Sequence, residues 1–144
     1  VNSLYIVPAE LEEMNHKLQG VYDDMCANET MYEDYLTDDA EIIITAYGTV
    51  ARIAKSAVDI LRENGVKAGL FRPITLYPFP KDALDKLASQ PSVKEFVTVE
   101  LSMGQYIEDV KLVVEGRKPV RFFARTGGNV MTPEDIAEFV KKEA

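Results

Sequence analysis

The chain has 144 residues, 47% of them hydrophobic, with 16 Lys and Arg against 24 Asp and Glu, for a formal charge of −8. That length fits one compact domain with its own core, and the acidic balance excludes nucleic acid as an expected partner because it repels a phosphate backbone. No uninterrupted apolar run reaches the roughly 20 residues that span a bilayer, and no charged start followed by an apolar stretch marks a signal peptide, so no membrane partner and a soluble, cytoplasmic chain are expected. Cys26 is the single cysteine. One thiol makes no internal disulfide and holds neither an iron–sulfur cluster nor a structural zinc, so any redox centre is expected on another chain or domain. The chain opens on Val1, as a piece of a longer polypeptide or a processed chain would.

The organisation divides near Asp38, into an N-terminal helix and linker over 1–38 and an α/β domain over 39–144. Leu11, Met14, Leu18, Val21, Tyr22 and Met25 fall at helical spacing after Pro8, which suits a first turn. His16 lies on this acidic helix far from any other potential ligand and reads as a surface or packing residue. From Asn28 to Asp39 acidic residues interrupt every apolar run, the pattern of a solvated connector or of a strap that docks on a neighbouring domain. Ile42 to Ala46 is then a continuous β-branched run, as expected of a parallel strand covered on both faces. A helix follows with Val50, Ile53, Ala54, Ala57, Val58 and Leu61 on one stripe, closed by Asn64 and Gly65. Further strands are expected at Ala68–Arg72, Phe96–Val99 and Val120–Ala124, with helices at Lys81–Ala88 and Tyr106–Val114 between them. The last helix is announced by Thr132 as cap, Pro133 at its first position and Glu134 with Asp135 near its positive end. The fold class is therefore α/β, three-layered, with a mostly parallel sheet flanked by helices.

Three edge segments could carry chemistry. Gly48 and Thr49 join a strand end to a helix start, where free backbone N–H groups can receive an anion; equally, the glycine can serve only the tight turn. The run from Gly48 to Ile53 holds one glycine, not the G-x-G-x-x-G of a dinucleotide site, which argues against nicotinamide or flavin. In Leu76-Tyr77-Pro78-Phe79-Pro80, two prolines fix φ and hold Tyr77 and Phe79 in defined directions at low entropic cost; such aromatics anchor interfaces or plug the domain's own gaps. Arg72 can pair with an internal acid or read a phosphate or carboxylate. After the third strand, Glu100 leads through Leu101-Ser102 to Met103, Gly104 and Gln105. There the glycine's close backbone approach and the glutamine amide could meet a ligand or a facing domain, or simply start a helix. Glu100 has no nearby partner in sequence to tune it as an acid or base. Gly127, Gly128 and Asn129 form the remaining edge turn.

Two stretches, YGTVARIAKSAVDILRENGVKAGLFRPITLYPFP at Tyr47 to Pro80 and VTVELSMGQYIEDVKLVVEGR at Val97 to Arg117, closely resemble the carboxy-terminal domain of 2-oxoacid:ferredoxin oxidoreductase α-type subunits, a relative of the transketolase C-terminal domain. The resemblance covers roughly Glu33 to the end. It implies a structural and assembly domain of an enzyme that converts a 2-oxoacid to acyl-CoA and CO2 while reducing ferredoxin. Thiamine diphosphate, Mg2+ and iron–sulfur clusters would lie elsewhere in that enzyme, and no cofactor, metal or catalytic residue is expected in this chain, which would be inactive alone. Other domains and subunits are the expected partners, with ferredoxin and coenzyme A reached through the complex, in a dimeric or hetero-oligomeric parent. The resemblance also tilts Tyr77 to Pro80 toward an interface. Two alternatives stand beside it: a stand-alone anion-binding or regulatory module, and the equivalent domain of a 2-oxoacid dehydrogenase β-subunit. The identity of the 2-oxoacid is not legible.

Overall fold

The computed structural model describes residues 4–142. Ten elements follow in order: α1 (Pro8–Asn28), β1 (Tyr32–Tyr35), β2 (Ile42–Thr45), α2 (Gly48–Glu63), β3 (Ala68–Pro73), α3 (Lys81–Ala88), β4 (Glu95–Glu100), α4 (Tyr106–Val114), β5 (Val120–Ala124) and α5 (Pro133–Lys141). Five strands form one sheet in the order β1-β3-β2-β4-β5. β2, β3, β4 and β5 pair in parallel, and β1 joins the β3 edge antiparallel, Tyr32 opposite Pro73 and Tyr35 opposite Leu70.

Strand alternation divides the core into two layers, as the pleat requires. Ile42, Ile44, Ala46, Leu70, Val97 and Val99 face α2 and α5, while Ile43, Phe71 and Phe96 face α3 and α4. Central strands buried on both faces carry no polar alternation, which is why IIIT reads as a continuous run. Phe71 and Phe96 are fully buried, each contributing about 2 kcal/mol through area removed from water. Both layers close from this chain's own residues. At α5, Thr132 is the cap expected from the sequence, accepting from the Asp135 N–H at 3.1 Å, and the structure adds the reciprocal bond, the Asp135 carboxylate accepting from the Thr132 N–H at 2.9 Å.

The segment Asn28 to Asp39 departs from its reading as a connector, because residues 32–35 within it are an edge strand. Its acids mislead a pattern search because an edge strand keeps solvated positions and often carries charge. Glu33 pairs with Arg72 at 2.9 Å and the Tyr35 hydroxyl donates to Asp59 at 2.7 Å, on the side of α2, while Tyr32 stacks on Phe71 at 5.7 Å on the other. The turn that follows is pinned from α2, where Arg62 donates to the Leu36 carbonyl at 2.8 Å, the Ala68 carbonyl at 2.7 Å and Asp39 at 2.7 Å. That pairing holds the Asp39 carboxyl below its usual range. A Cβ on Gly69 would lie 2.6 Å from the Leu36 carbonyl oxygen, so a glycine in β3 is what lets the turn press against the sheet. α1 stands apart: none of its residues is buried, and it meets the domain where Tyr22 lies edge-on to Tyr77, ring centres 6.3 Å apart. Among the described residues no helix is long and apolar enough to cross a membrane.

Candidate functional site

The strand order fixes where this fold would present a ligand. The chain leaves β2 toward β3 on one side and leaves β4 toward β5 on the other, with α2 and α4 on opposite faces. The crevice between the carboxyl ends of β2 and β4 is thus the topological switch point, where open α/β sheets usually hold their ligands. Gly48 and Thr49 lie on one lip of it and Met103, Gly104 and Gln105 on the other. Tertiary structure therefore brings together two candidate segments that are more than fifty positions apart in the chain.

The chain's own side chains fill this crevice. Thr45 donates to Thr98 at 3.0 Å in its floor, both residues fully buried. Tyr106 covers them, 3% exposed, its ring edge-on to Tyr47 at 5.2 Å and to Phe79 at 6.1 Å. With the Thr45 hydroxyl turned to Thr98, the Tyr106 hydroxyl has no hydrogen-bond partner of good geometry, and burial pushes the phenol well above its usual 10.

Glu100 closes the α4 lip. Its side chain is fully buried and accepts from the backbone N–H groups of Gln105, Tyr106 and Ile107, each at 3.2 Å, and from the Ser102 hydroxyl. A helix start leaves its first N–H groups unpaired and carries partial positive charge, so a carboxylate satisfies both needs. The partners that sequence reasoning missed are therefore the backbone of the following helix, five to seven residues on. Gly104 is held at φ 103°, with Ile107 and Phe122 near the place a Cβ would take, and Met103 projects 84% exposed at the tip of the turn. Gln105 spends its N–H on Glu100.

The α2 lip is built differently. Gly48 takes φ 57°, a conformation that suits glycine, and no side chain caps the helix start. Gly48 and Thr49 are exposed. Gly127 and Gly128 take φ of 64° and 85°, the left-handed turn expected of them.

The proline loop splits its two aromatics. Tyr77 is 63% exposed and faces α1, whereas Phe79 turns inward against the α3 and α4 layer. Pro78 and Pro80 are buried, the Tyr77–Pro78 peptide is cis, and the Thr75 hydroxyl donates to the Pro78 carbonyl at 2.9 Å. Between this loop, the end of α1 and the start of α3 lies an open groove of about 550 Å³, lined in part by Cys26, Thr30, Tyr32 and Lys86. Arg72 makes its ion pair internally, with Glu33. Among the described residues no group of three or more His, Cys, Asp or Glu side chains is placed to hold a metal ion. A lone exposed Cys26 does not match the four-thiolate donor set of an iron–sulfur cluster.

Comparison with known proteins bears on the family and the fold. The family model described as pyruvate:ferredoxin oxidoreductase core domain II matches residues 40–136. The chain is 43% identical over all 144 residues to the ketoisovalerate oxidoreductase subunit VorB of Methanothermobacter marburgensis, of which it covers 40%. It is 38% identical over 102 residues, 71% of its length, to the 2-oxoglutarate synthase subunit KorA of Methanocaldococcus jannaschii, covering 27% of that subunit. A solved 2-oxoglutarate:ferredoxin oxidoreductase from Magnetococcus marinus superimposes with a TM-score of 0.82 at 22% identity, over 96% of this chain and 24% of the other. A split-gene transketolase, solved as an inactive tetramer, gives 0.65 at 22% identity over 78% and 40%; both structures bear on the fold. The chain thus spans about two fifths of the length of relatives such as VorB. It belongs to the pyruvate:ferredoxin oxidoreductase core domain II family.

Proposed function

We propose that this chain is the structural and assembly domain of a 2-oxoacid:ferredoxin oxidoreductase subunit, in an enzyme that converts a 2-oxoacid, coenzyme A and oxidised ferredoxin to acyl-CoA, CO2 and reduced ferredoxin. Thiamine diphosphate, Mg2+ and iron–sulfur clusters are contributed by other parts of that cytoplasmic, multi-subunit enzyme. The family membership gives the enzyme class. The observation that carries the scaffold role is the switch-point crevice, which in a ligand-binding sheet would receive the ligand and here is filled by Tyr47, Tyr106, Phe79 and the Glu100 cap. The domain's work is then to hold neighbours in place, with Tyr77 as the outward anchor of the proline loop and Phe79 its inward brace. The substrate reading is a branched-chain 2-oxoacid, supported by the alignment of both ketoisovalerate oxidoreductase VorB relatives over the whole chain at 43% and 42% identity.

Two measurements test this. The isolated chain, given thiamine diphosphate, Mg2+, coenzyme A, a panel of 2-oxoacids and a viologen dye, is expected to show no turnover. The complete enzyme is expected to reduce the dye with ketoisovalerate at higher kcat/KM than with pyruvate or 2-oxoglutarate. Cofactor-dependent reduction by the chain alone overturns the scaffold role, and preference for another oxoacid overturns the substrate class. Tyr77→Ala should leave the melting of the isolated domain nearly unchanged and weaken assembly by about 2 kcal/mol, whereas Phe79→Ala should cost about 3 kcal/mol of folding stability.

A further inference from the structure

Helix α1 is 21 residues long, roughly 30 Å at 1.5 Å per residue, yet it buries none of them. Leu11, Met14, Leu18, Val21, Tyr22 and Met25 recur at three- and four-residue intervals and so share one face. Leu11, Leu18, Val21 and Tyr22 remain 41–49% exposed. Most helical stability in proteins comes from packing of an amphipathic face, so an apolar face with nothing on it leaves the helix without its main support. The face is continuous, through the Tyr22–Tyr77 contact, with the exposed anchor of the proline loop.

Charge selects among the surfaces that could cover it. By helical spacing Glu10, Lys17 and Asp24 line one border of the apolar face, and Glu12 and Asp23 lie beyond Asn15 and Gln19 on the other; with Glu13 the helix carries five acids against one lysine. Packing α1 against α1 of a second copy would set two net-acidic helices together, in chains that each carry a formal charge of −8, and such like-charge juxtaposition opposes association. A complementary surface is an apolar groove bordered by Lys or Arg. The family match begins at residue 40, beyond α1, whereas the VorB match runs through α1 and still leaves 60% of that relative's length outside it.

We propose that α1 is a docking helix that lays its Leu11–Met25 face into a basic-rimmed apolar groove on another domain of the same oxidoreductase subunit, an inference that rests on the reading of this chain as part of that enzyme. Hydrogen exchange followed by mass spectrometry tests it, on the isolated chain and on the complete subunit in its enzyme. Backbone amides of residues 11–25 are expected to exchange at least about tenfold more slowly in the enzyme. The Glu10→Lys, Asp24→Lys double variant of the full subunit, altered at exposed positions, is expected to lose most of that protection while Glu10→Gln, Asp24→Gln keeps more of it. Equal exchange in the two states overturns the proposal, as does protection that survives charge reversal. Protection that appears in the isolated chain as it dimerises in sedimentation also overturns it, in favour of a second copy. Dye reduction by an enzyme whose α1 is unprotected sinks the docking inference alone; a protected α1 in an assembly that turns over no 2-oxoacid sinks the enzymatic reading and leaves docking standing.

Discussion

Helices α2 and α4 begin at equivalent places, each at the carboxyl end of a central strand, and the fold treats their starts in opposite ways. At α4 the preceding strand ends in Glu100, whose buried side chain gathers three backbone N–H groups and a serine hydroxyl. At α2 the strand ends at Thr45, Tyr47 stands at the helix start without a side-chain cap bond, and Gly48 and Thr49 face solvent. A helix start thus reveals little about ligands until its N–H groups are accounted for: the α4 end is satisfied from within, and the α2 end is left to solvent or a neighbouring domain.

The largest expected effect comes from opening the closed end. Glu100→Ala leaves buried donors unpaired and should cost about 3 kcal/mol in urea unfolding; a loss below about 1 kcal/mol would mean that the cap is not what holds α4. At the other end, Gly48→Ala forces a Cβ into φ 57° and should cost about 1 kcal/mol, while Thr49→Ala should be nearly silent. If Thr49→Ala matched Glu100→Ala, the contrast between the two ends would collapse.

Asp34 sharpens the comparison as a carboxyl without such donors. Burial and the neighbouring Asp38 push it above its usual 3.8, with Lys86 partly offsetting them. Because the folded-state pKa is raised, ionisation disfavours the fold; the penalty is present above that pKa and vanishes as pH falls below the unfolded value. Asp34→Asn should therefore raise the melting temperature slightly at pH 7, a gain that shrinks to nothing as the carboxyls protonate. A gain that persists at pH 3 would locate its cause outside the ionised carboxylate. Smallest of all, Tyr106→Phe removes a buried hydroxyl without a partner of good geometry and should change stability by less than about 0.5 kcal/mol. A large loss would show that the hydroxyl is bonded and that the crevice floor is a polar network.

The chain by itself determined the layers. Continuous β-branched runs at Ile42–Thr45 and around Phe96–Val99 require two covered faces, and the stripes of α2 and α5 supply one cover, so hydrophobic period alone leads to a mostly parallel sheet between helices. Thr132, Pro133 and Asp135 set the start of α5 through contacts three residues apart, which sequence displays directly. Tertiary structure decided what depends on residues far apart in the chain. β1 becomes a strand because β3 offers its edge, Gly69 admits the following turn and Arg62 pins it; the sequence from Tyr32 to Tyr35 carries little hydrophobic pattern because an edge strand buries little. Phe79 turns inward and Tyr77 outward because a buried layer waits on one side of the loop and α1 on the other. Whether Glu100 was a free acid or a cap turned on the direction of its side chain relative to the next helix, and residue spacing along a strand and a turn does not encode that direction.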